Sequence, residues 1–551
     1  MRQERRQAQE TSRRLLAVLL VLCLLAGGLG TRLWYLQGER GAILSGLASG
    51  QQAERLRLDN PRGTIYDRHG VPLSDPRTYW GVAVFPRLLP DRPDAAAALA
   101  PALGREPGTL QQELQAAQQP FWLDRRLDAP GAAAVSALGL PGISVAAVHT
   151  RYGPDALAQH LIGYINASGG QLGLEATYDQ WLQGEGGPAL EVDLDGHGHP
   201  LAGLGVHSVT LPGRPPGDLV LTIDAEVQRA VEQTLDKAGV QRGAAVVLDV
   251  KSGDVLAMAS RPRFDPENPP AAVADAPLLN RALAAYEPGS TFKVLVAGAA
   301  LEEGVAGLHS PFYCPGFYDM GDYQPHCDVP TGHGHLDLEE ALAVSCNVTF
   351  ITLGVERLGR QRLLAYAHRF GFGQPTGIGA YGDQGGILPP LDLPGQVAQF
   401  SFGQALTATP LQVAHLLLVA AGGGIDPGLR LVQSGPPGAI APRAPVRLLS
   451  PDTASALQQA LKAVTDPGGE GTGKAAWVSG YGSAGKTGTA QGVVDGAPAT
   501  HAWFAGYTPV ANPRYVITVF LEGGGYGGIT AAPLFRQMAE AIFAVASKTD
   551  S

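Results

Sequence analysis

Residues Leu15 to Leu29 form an apolar run without a charged side chain, entered through Arg2, Arg5, Arg6, Arg13 and Arg14. No other feature constrains the chain as strongly, because such a segment commits everything after it to one side of a membrane. Alone the run is short for a bilayer, but Gly30, Thr31 and Arg32 lead into Leu33, Trp34, Tyr35 and Leu36. Arg32 can snorkel to the far interface, where Trp34 and Tyr35 supply an aromatic anchor. The positive-inside rule then predicts a cytoplasmic tail over 1–14, a single-pass anchor over 15–36 and a large body outside the cytoplasm. A cleaved signal peptide is the other reading, since Ala26, Gly27 and Gly28 place small residues near the end of the run. Cys23 follows Leu22, a poor context for lipoprotein processing, and reads as an ordinary lipid-facing or core cysteine.

The body is large enough for several cores. A chain of 551 residues carries a prior of three or four domains. Its 45% apolar and 16% charged residues exclude a disordered or supercharged chain. Gly 73 and Pro 43 are high counts, but no collagen period accompanies them. A formal charge of −10 argues against a nucleic-acid partner. Four cysteines are too few for a disulfide-built scaffold. The only lysines are Lys237, Lys251, Lys293, Lys462, Lys474, Lys486 and Lys548, so a lysine inside a motif is hard to dismiss as surface filler.

Two regions follow the anchor. From 37 to 217 the sequence is broken and rich in Pro, Gly and Ala. Pro61-Arg62-Gly63-Thr64-Ile65-Tyr66-Asp67-Arg68-His69-Gly70-Val71-Pro72-Leu73 reads as a hairpin with a charged tip. Arg151 to Tyr164 and Gly173 to Leu182 read as packing and ion-pair elements, and Gly184 to Gly217 as hairpins or a linker. From 218 to 551 the pattern is an orderly α/β (α+β) domain. Asp224 is the N-cap of a helix over Ala225–Ala238. Ala244–Val250 and Val255–Ala259 form a hairpin across Lys251-Ser252-Gly253-Asp254. Strands over Ala484–Ala490, Ala502–Tyr507 and Tyr515–Leu521 and a helix over Ala531–Ala546 close the domain around a long helical insertion.

Three short motifs carry chemistry. In Glu287-Pro288-Gly289-Ser290-Thr291-Phe292-Lys293, Ser290 sits at the start of an apolar helix and Lys293 returns to the same face three residues on. A serine hydroxyl needs an adjacent base, and a buried lysine can supply one once desolvation lowers its pKa. S-x-x-K alone matches many helices by chance. Ser345-Cys346-Asn347 can place a hydroxyl for proton relay beside an amide for a substrate carbonyl, or it is an ordinary polar turn. Lys486-Thr487-Gly488-Thr489 lies on a strand suited to a sheet edge. There Lys486 and Thr487 can hold a carboxylate, Gly488 permits close backbone approach or is a mere bulge, and the Thr489 N–H can be an oxyanion donor.

Taken in this order, on helix, loop and strand, the three motifs resemble those of the penicillin-interacting serine acyl-enzymes. The segments at 61–73, 151–164 and 173–182 resemble the pedestal motifs of class B penicillin-binding proteins, as do Phe400-Ser401-Phe402-Gly403-Gln404 and Thr407-Ala408-Thr409-Pro410-Leu411-Gln412. His501 to Tyr507 and Leu521 to Gly524 lean towards the elongation-type branch, that of penicillin-binding protein 2. The resemblance covers nearly the whole chain. It implies an N-terminal transmembrane helix, an elongated pedestal (dimerisation-type) domain over 37–217, and a transpeptidase domain over 218–551 with a five-stranded antiparallel sheet flanked by helices. It also implies DD-transpeptidation of peptidoglycan stem peptides in cell-wall elongation at the bacterial inner membrane. In that chemistry Ser290 is the nucleophile that β-lactams acylate, Lys293 the base, Ser345 a proton relay and Asn347 a holder of the donor peptide. Lys486, Thr487 and Thr489 hold the carboxylate side, and no cofactor takes part. No glycosyltransferase domain fits before 218, so glycan polymerisation falls to a RodA-type partner and other elongation-complex proteins. Two rival functions share these motifs. A serine β-lactamase needs a dedicated deacylating base, and no Glu-x-x-x-Asn follows Asn347. A non-catalytic scaffold that activates the polymerase would not need three intact motifs.

Cys314, Cys327, His333 and Cys346 fall within one stretch, and their softness and number suit a closed Cys3His zinc site. The spacing is looser than a zinc finger's. It also resembles a structural zinc site of some elongation-type members, in which carboxylates replace some of the thiols. A Cys314–Cys327 disulfide with Cys346 as a buried thiol is the rival reading, and three free thiols a third.

Overall fold

The computed structural model describes residues 2–40, 53–58, 62–89, 91–166, 168–195, 197–201, 203, 205–270, 276–321, 323–438 and 444–549. Pro61 of the expected hairpin lies outside them. The anchor expectation meets a helix over Arg2–Trp34 whose apolar side chains from Leu15 to Trp34 are exposed. The stretch Arg13–Glu39 is long and apolar enough to cross a membrane, about 40 Å at helical rise. Cys23 is exposed along it.

The chain divides into two compact units. The smaller comprises Met1–Asn60, Thr78–Thr150 and Glu185–Arg214. Strands Phe121–Leu127, Arg77–Val84 and Ile143–Thr150 make a sheet in that order. Helices Arg92–Leu103, Pro107–Ala116 and Ala129–Ala137 bury Leu99, Leu110 and Val135 in the core that holds Val82, Val84 and Leu123. A second antiparallel sheet runs Ala53–Arg57, Gly187–Asp193, His207–Leu211. The stretch left open as hairpins or linker therefore contains a strand pair.

The larger unit comprises Pro61–Arg77, Arg151–Gly184 and Pro215–Ser551. Its centre is a five-stranded antiparallel sheet built from β1 (Gly243–Asp249), β2 (Val255–Arg261), β3 (Ala484–Val494), β4 (Ala497–Thr508) and β5 (Tyr515–Leu521), ordered β2-β1-β5-β4-β3. All of β5 and all of β1 except Asp249 are buried, which requires cover on both faces. On one face α1 (Ala225–Lys237) supplies Val227, Val231 and Leu235 to a core shared with Val247, Phe504 and Ile517. The C-terminal helix Gly527–Thr549 adds Phe535, Met538 and Ile542 to the same core. On the other face α2 (Lys293–Glu302) and the helix Pro410–Ala421 pack in a core with Val246, Trp503 and Phe520. Asp224 caps α1 as expected, accepting the Glu226 and Val227 N–H groups. The Thr407–Gln412 segment has a local reason as well. Thr409 and Gln412 form a reciprocal capping box with Pro410 at the first helical position.

Strands β3 and β4 run further than the sequence patterning indicates, to a tight hairpin in which Val494 pairs with Ala497. Asp495 (φ 51°) and Gly496 (φ 78°) occupy the left-handed turn that joins them. The division at 217 is linear, whereas the units interleave. The hairpin at 62–73 is present, with Leu73 N–H bonded to Ile65 O at 3.0 Å. Arg62 donates to Glu175 (2.6 Å) and Asp179 (2.7 Å), Arg151 pairs with Glu175, and the Tyr152 hydroxyl reaches Glu175 at 3.2 Å. Glu175 is wholly buried, so this network ties 62–77 to 151–184 within the larger unit.

Candidate active site

Ser290 lies on a 3-10 turn, Gly289–Phe292, that runs directly into α2 at Lys293. The nucleophile candidate is at the helix start, as expected, but on a tighter turn than the α-helix its spacing suggests. Residues i and i+3 eclipse in a 3-10 turn, which aligns Ser290 with Lys293. The turn is held from outside. Gly289 N–H donates to Gly403 O at 3.0 Å, and Tyr286 exchanges two backbone hydrogen bonds with Ala408. Gly403 has φ 85°, and a Cβ there would lie 2.0 Å from Gly289 O. The Phe400–Gln404 segment thus buttresses the serine turn, with Phe400 edge-on to Phe292 at 5.0 Å.

Ser345 and Asn347 follow the short helix α3 (Leu338–Ala343), which opens on an Asp337–Glu340 capping box. Its C-terminal end is a Schellman motif: Cys346 N–H bonds Ala341 O at 2.8 Å and Ser345 N–H bonds Leu342 O at 3.3 Å. Ser345 occupies the left-handed position, φ 63°, that glycine normally takes. A side chain held there at a cost of about 1–2 kcal/mol needs a reason. That reason is its neighbour. Lys293 Nζ donates to Ser345 O (2.7 Å), Ser345 Oγ (3.2 Å) and Asn347 Oδ1 (2.6 Å). Lys293 is fully buried, and desolvation pushes its pKa down to about 8, against the opposing fields of Asp328, Cys327 and Cys346.

The third motif lies on edge strand β3. Gly488 is needed for close approach: a Cβ there would meet Thr291 Cγ2 and Trp503 Cβ at 2.9 Å. Lys486 is buried, its Nζ 3.1 Å from Thr487 O and 3.3 Å from Thr487 Oγ1. Burial first, then the Lys293 charge, holds Lys486 well below the ordinary lysine range. Ser290, Asn347 and Thr489 line one cleft of about 460 Å³. Lys293 links Ser345 to Asn347 beneath it, and Lys486 and Thr487 continue the strand that carries Thr489.

Several site residues escape the sequence reading. Thr472 shares a 2.6 Å hydrogen bond with Thr487 Oγ1, and its N–H bonds Ala343 O. The glycine punctuation of Gly468-Gly469-Glu470-Gly471-Thr472-Gly473 is the signal that marks it. Glu287, Asp328 and Tyr323 also line the cleft, and Tyr323 reaches it through a hydroxyl bonded to Gln399 at 2.9 Å. Glu287 comes with the Ser290 motif itself, whereas no local pattern announces Asp328 and Tyr323, because long-range folding brings them there.

Cys314, Cys327, His333 and Cys346 converge so that one donor atom from each lies within 4.8 Å of the others, all but His333 being buried. The three cysteines are free thiols, so the Cys314–Cys327 disulfide is not formed. Cys327 Sγ and His333 Nδ1 are 3.5 Å apart. The cluster touches the loop that carries Ser345 and Asn347: Asn347 N–H donates to Cys327 Sγ at 3.4 Å and Asn347 Nδ2 donates to His326 O at 3.2 Å.

Comparison with known proteins identifies the family. Residues 243–540 match the penicillin-binding protein transpeptidase domain and residues 57–213 the penicillin-binding protein dimerisation domain. Stage V sporulation protein D of Bacillus subtilis is 33% identical over 555 residues, covering 95% of this chain and 84% of its own. The peptidoglycan D,D-transpeptidase FtsI of Escherichia coli is 30% identical, with 87% and 82% covered. A chain solved in work on structural coordination of polymerization and crosslinking by a peptidoglycan synthase complex superposes with a TM-score of 0.72 at 28% identity, over 97% of this chain and 98% of that one. Penicillin-binding protein 3 of Mycobacterium tuberculosis gives 0.64 at 27% identity, over 90% and 97%. With a transpeptidase domain and a dimerisation domain on one polypeptide, the chain belongs to the class B penicillin-binding proteins.

Proposed function

We propose that this protein is a membrane-anchored peptidoglycan DD-transpeptidase of cell-wall elongation that works through an acyl-enzyme on Ser290. The observation that carries the reading is the buried Lys293 Nζ, hydrogen-bonded to both Ser345 and Asn347 beside the cleft that holds Ser290. Neutral Lys293 takes the Ser290 proton as Oγ attacks the penultimate D-Ala carbonyl of the donor stem. The Ser290 and Thr489 N–H groups face the oxyanion. Ser345 passes the proton to the departing D-Ala amine, and Asn347 holds the donor backbone. Lys486, Thr487 and Thr489 hold the terminal carboxylate, whose charge offsets the burial that depresses Lys486. An acceptor amine then attacks the ester, forming the cross-link and freeing Ser290. β-Lactams acylate the same oxygen.

The elongation role rests on the His501–Tyr507 and Leu521–Gly524 segments, and partnership with a RodA-type polymerase on the single anchor and on likeness to a chain from a peptidoglycan synthase complex. Depleting the protein from rod-shaped cells tests the whole reading. Rounded cells with fewer cross-links are expected. Filaments would assign it to septation, and unchanged cross-linking would reduce it to a scaffold.

The cysteine cluster fits a structural zinc ion. Three thiols and one imidazole converge without a disulfide, and the 3.5 Å Cys327–His333 separation suits adjacent corners of a tetrahedron with zinc–sulfur bonds of about 2.3 Å. Cys327 and Cys346 would tie the ion to Asn347. Unchelated protein is expected to carry about one zinc per chain, and zinc-free protein with normal thermal stability would exclude the site.

A further inference from the structure

The cleft has an internal charge order that the acyl-transfer steps do not use. Its floor is β3, an edge strand with one face of its ladder unpaired, so an extended peptide can add to it as a further strand. Thr489 and Gln491 line the cleft two residues apart, as one side of a strand must. Thr487 to Gln491 spans about 14 Å. The lysines lie at the Thr487 end. Asp328, which also lines the cleft, acts on both Lys293 and Lys486, so its charge is already set against theirs.

Glu287 is different. It lies three residues before Ser290, is partly buried and lines the same cleft. Among the described residues no hydrogen bond or ion pair engages its carboxylate. It acts on His501, which pairs across the sheet with Ala490, four residues along β3 from Lys486. His501 does not neutralise it. Its Nδ1 accepts Gly523 N–H at 3.1 Å and burial lowers its pKa, which keeps the ring uncharged.

On the transpeptidase reading above, a donor stem laid along β3 puts its terminal carboxylate near Thr487 and its penultimate carbonyl at Ser290. The residue before the D-Ala pair then falls beside Gln491 and Glu287. We infer that Glu287 is a specificity-determining residue that selects donor stems carrying a free side-chain ammonium on the residue immediately before the D-Ala pair.

Two peptide thioester donors test this, identical except for lysine or Nε-acetyl-lysine at that position. Active sites are counted by labelled penicillin on Ser290, so misfolded protein does not enter the rates. The full chain should acylate faster from the lysine donor by about fivefold, the size of a partly screened charge contact. E287Q should bring the ratio to about one, and E287K should make a third donor, with Nε-succinyl-lysine at that position, better than the lysine donor. A ratio unchanged in E287Q overturns the assignment. So does an effect confined to the concentration dependence on the acceptor amine, which would put the carboxylate in the acceptor path. No preference in the unmodified chain, with Ser290 still titrated, also overturns it, whereas absence of titration counts against the transpeptidase reading itself.

Discussion

At Lys293 one side-chain nitrogen meets three oxygen acceptors, none of them a carboxylate, in a fully buried site. The acceptors favour the ammonium, but burial disfavours it by more and leaves a usable base near neutrality. The sign follows directly. The neutral amine is the active form and is present above the lysine pKa, so acylation should rise with pH and level off beyond a midpoint of about 8. Stopped-flow acylation by penicillin between pH 6 and 10 checks this, and a rate that is flat or falls through that midpoint would remove Lys293 from the base role. The positions of Ser290, Lys293, Ser345, Asn347 and Lys486 are readable in the sequence because each motif is contiguous, the first two sitting at helix boundaries and the third within an edge strand. Asp328 is not, because its placement in the cleft depends on how distant turns pack, and Glu287, though inside the Ser290 motif, carries no role that the motif itself announces.

The elements show how function competes with local preference. Glycine would suit the Schellman position at Ser345, whose left-handed backbone costs any other residue. Ser345→Gly should therefore leave thermal stability unchanged or raise it by about 1 kcal/mol, while removing the relay hydroxyl and slowing acylation by about 10²-fold. Parallel melting and acylation measurements separate the two effects. A stable variant with full activity would show that Ser345 acts only through its backbone. Element types and most boundaries in the larger unit follow from periodicity and caps. The β3–β4 hairpin runs long because Asp495-Gly496, a strong turn signal, lies inside a polar stretch that hides the strand pattern. The tight turn at Ser290 is likewise invisible to a helical repeat of 3.6.

For the whole molecule, the interleaving of the two units matters most. Arg62 and Glu175 belong to the larger unit although they lie far upstream of 218. A body cut at 217 would lose Ile65, Leu161 and Leu174 from the core they share with Leu219 and Leu221, and the pairing of Leu219 and Val220 with Ile65 and Tyr66, so it is a poor surrogate for the protein. The decisive measurement therefore uses the full chain in detergent: incubation with labelled penicillin, proteolysis and mass spectrometry of the adduct. The account predicts one slowly released acyl group on the Ser290 peptide, absent from Ser290→Ala. An adduct on another residue, rapid turnover of the penicillin, or no adduct with correctly folded protein would contradict it.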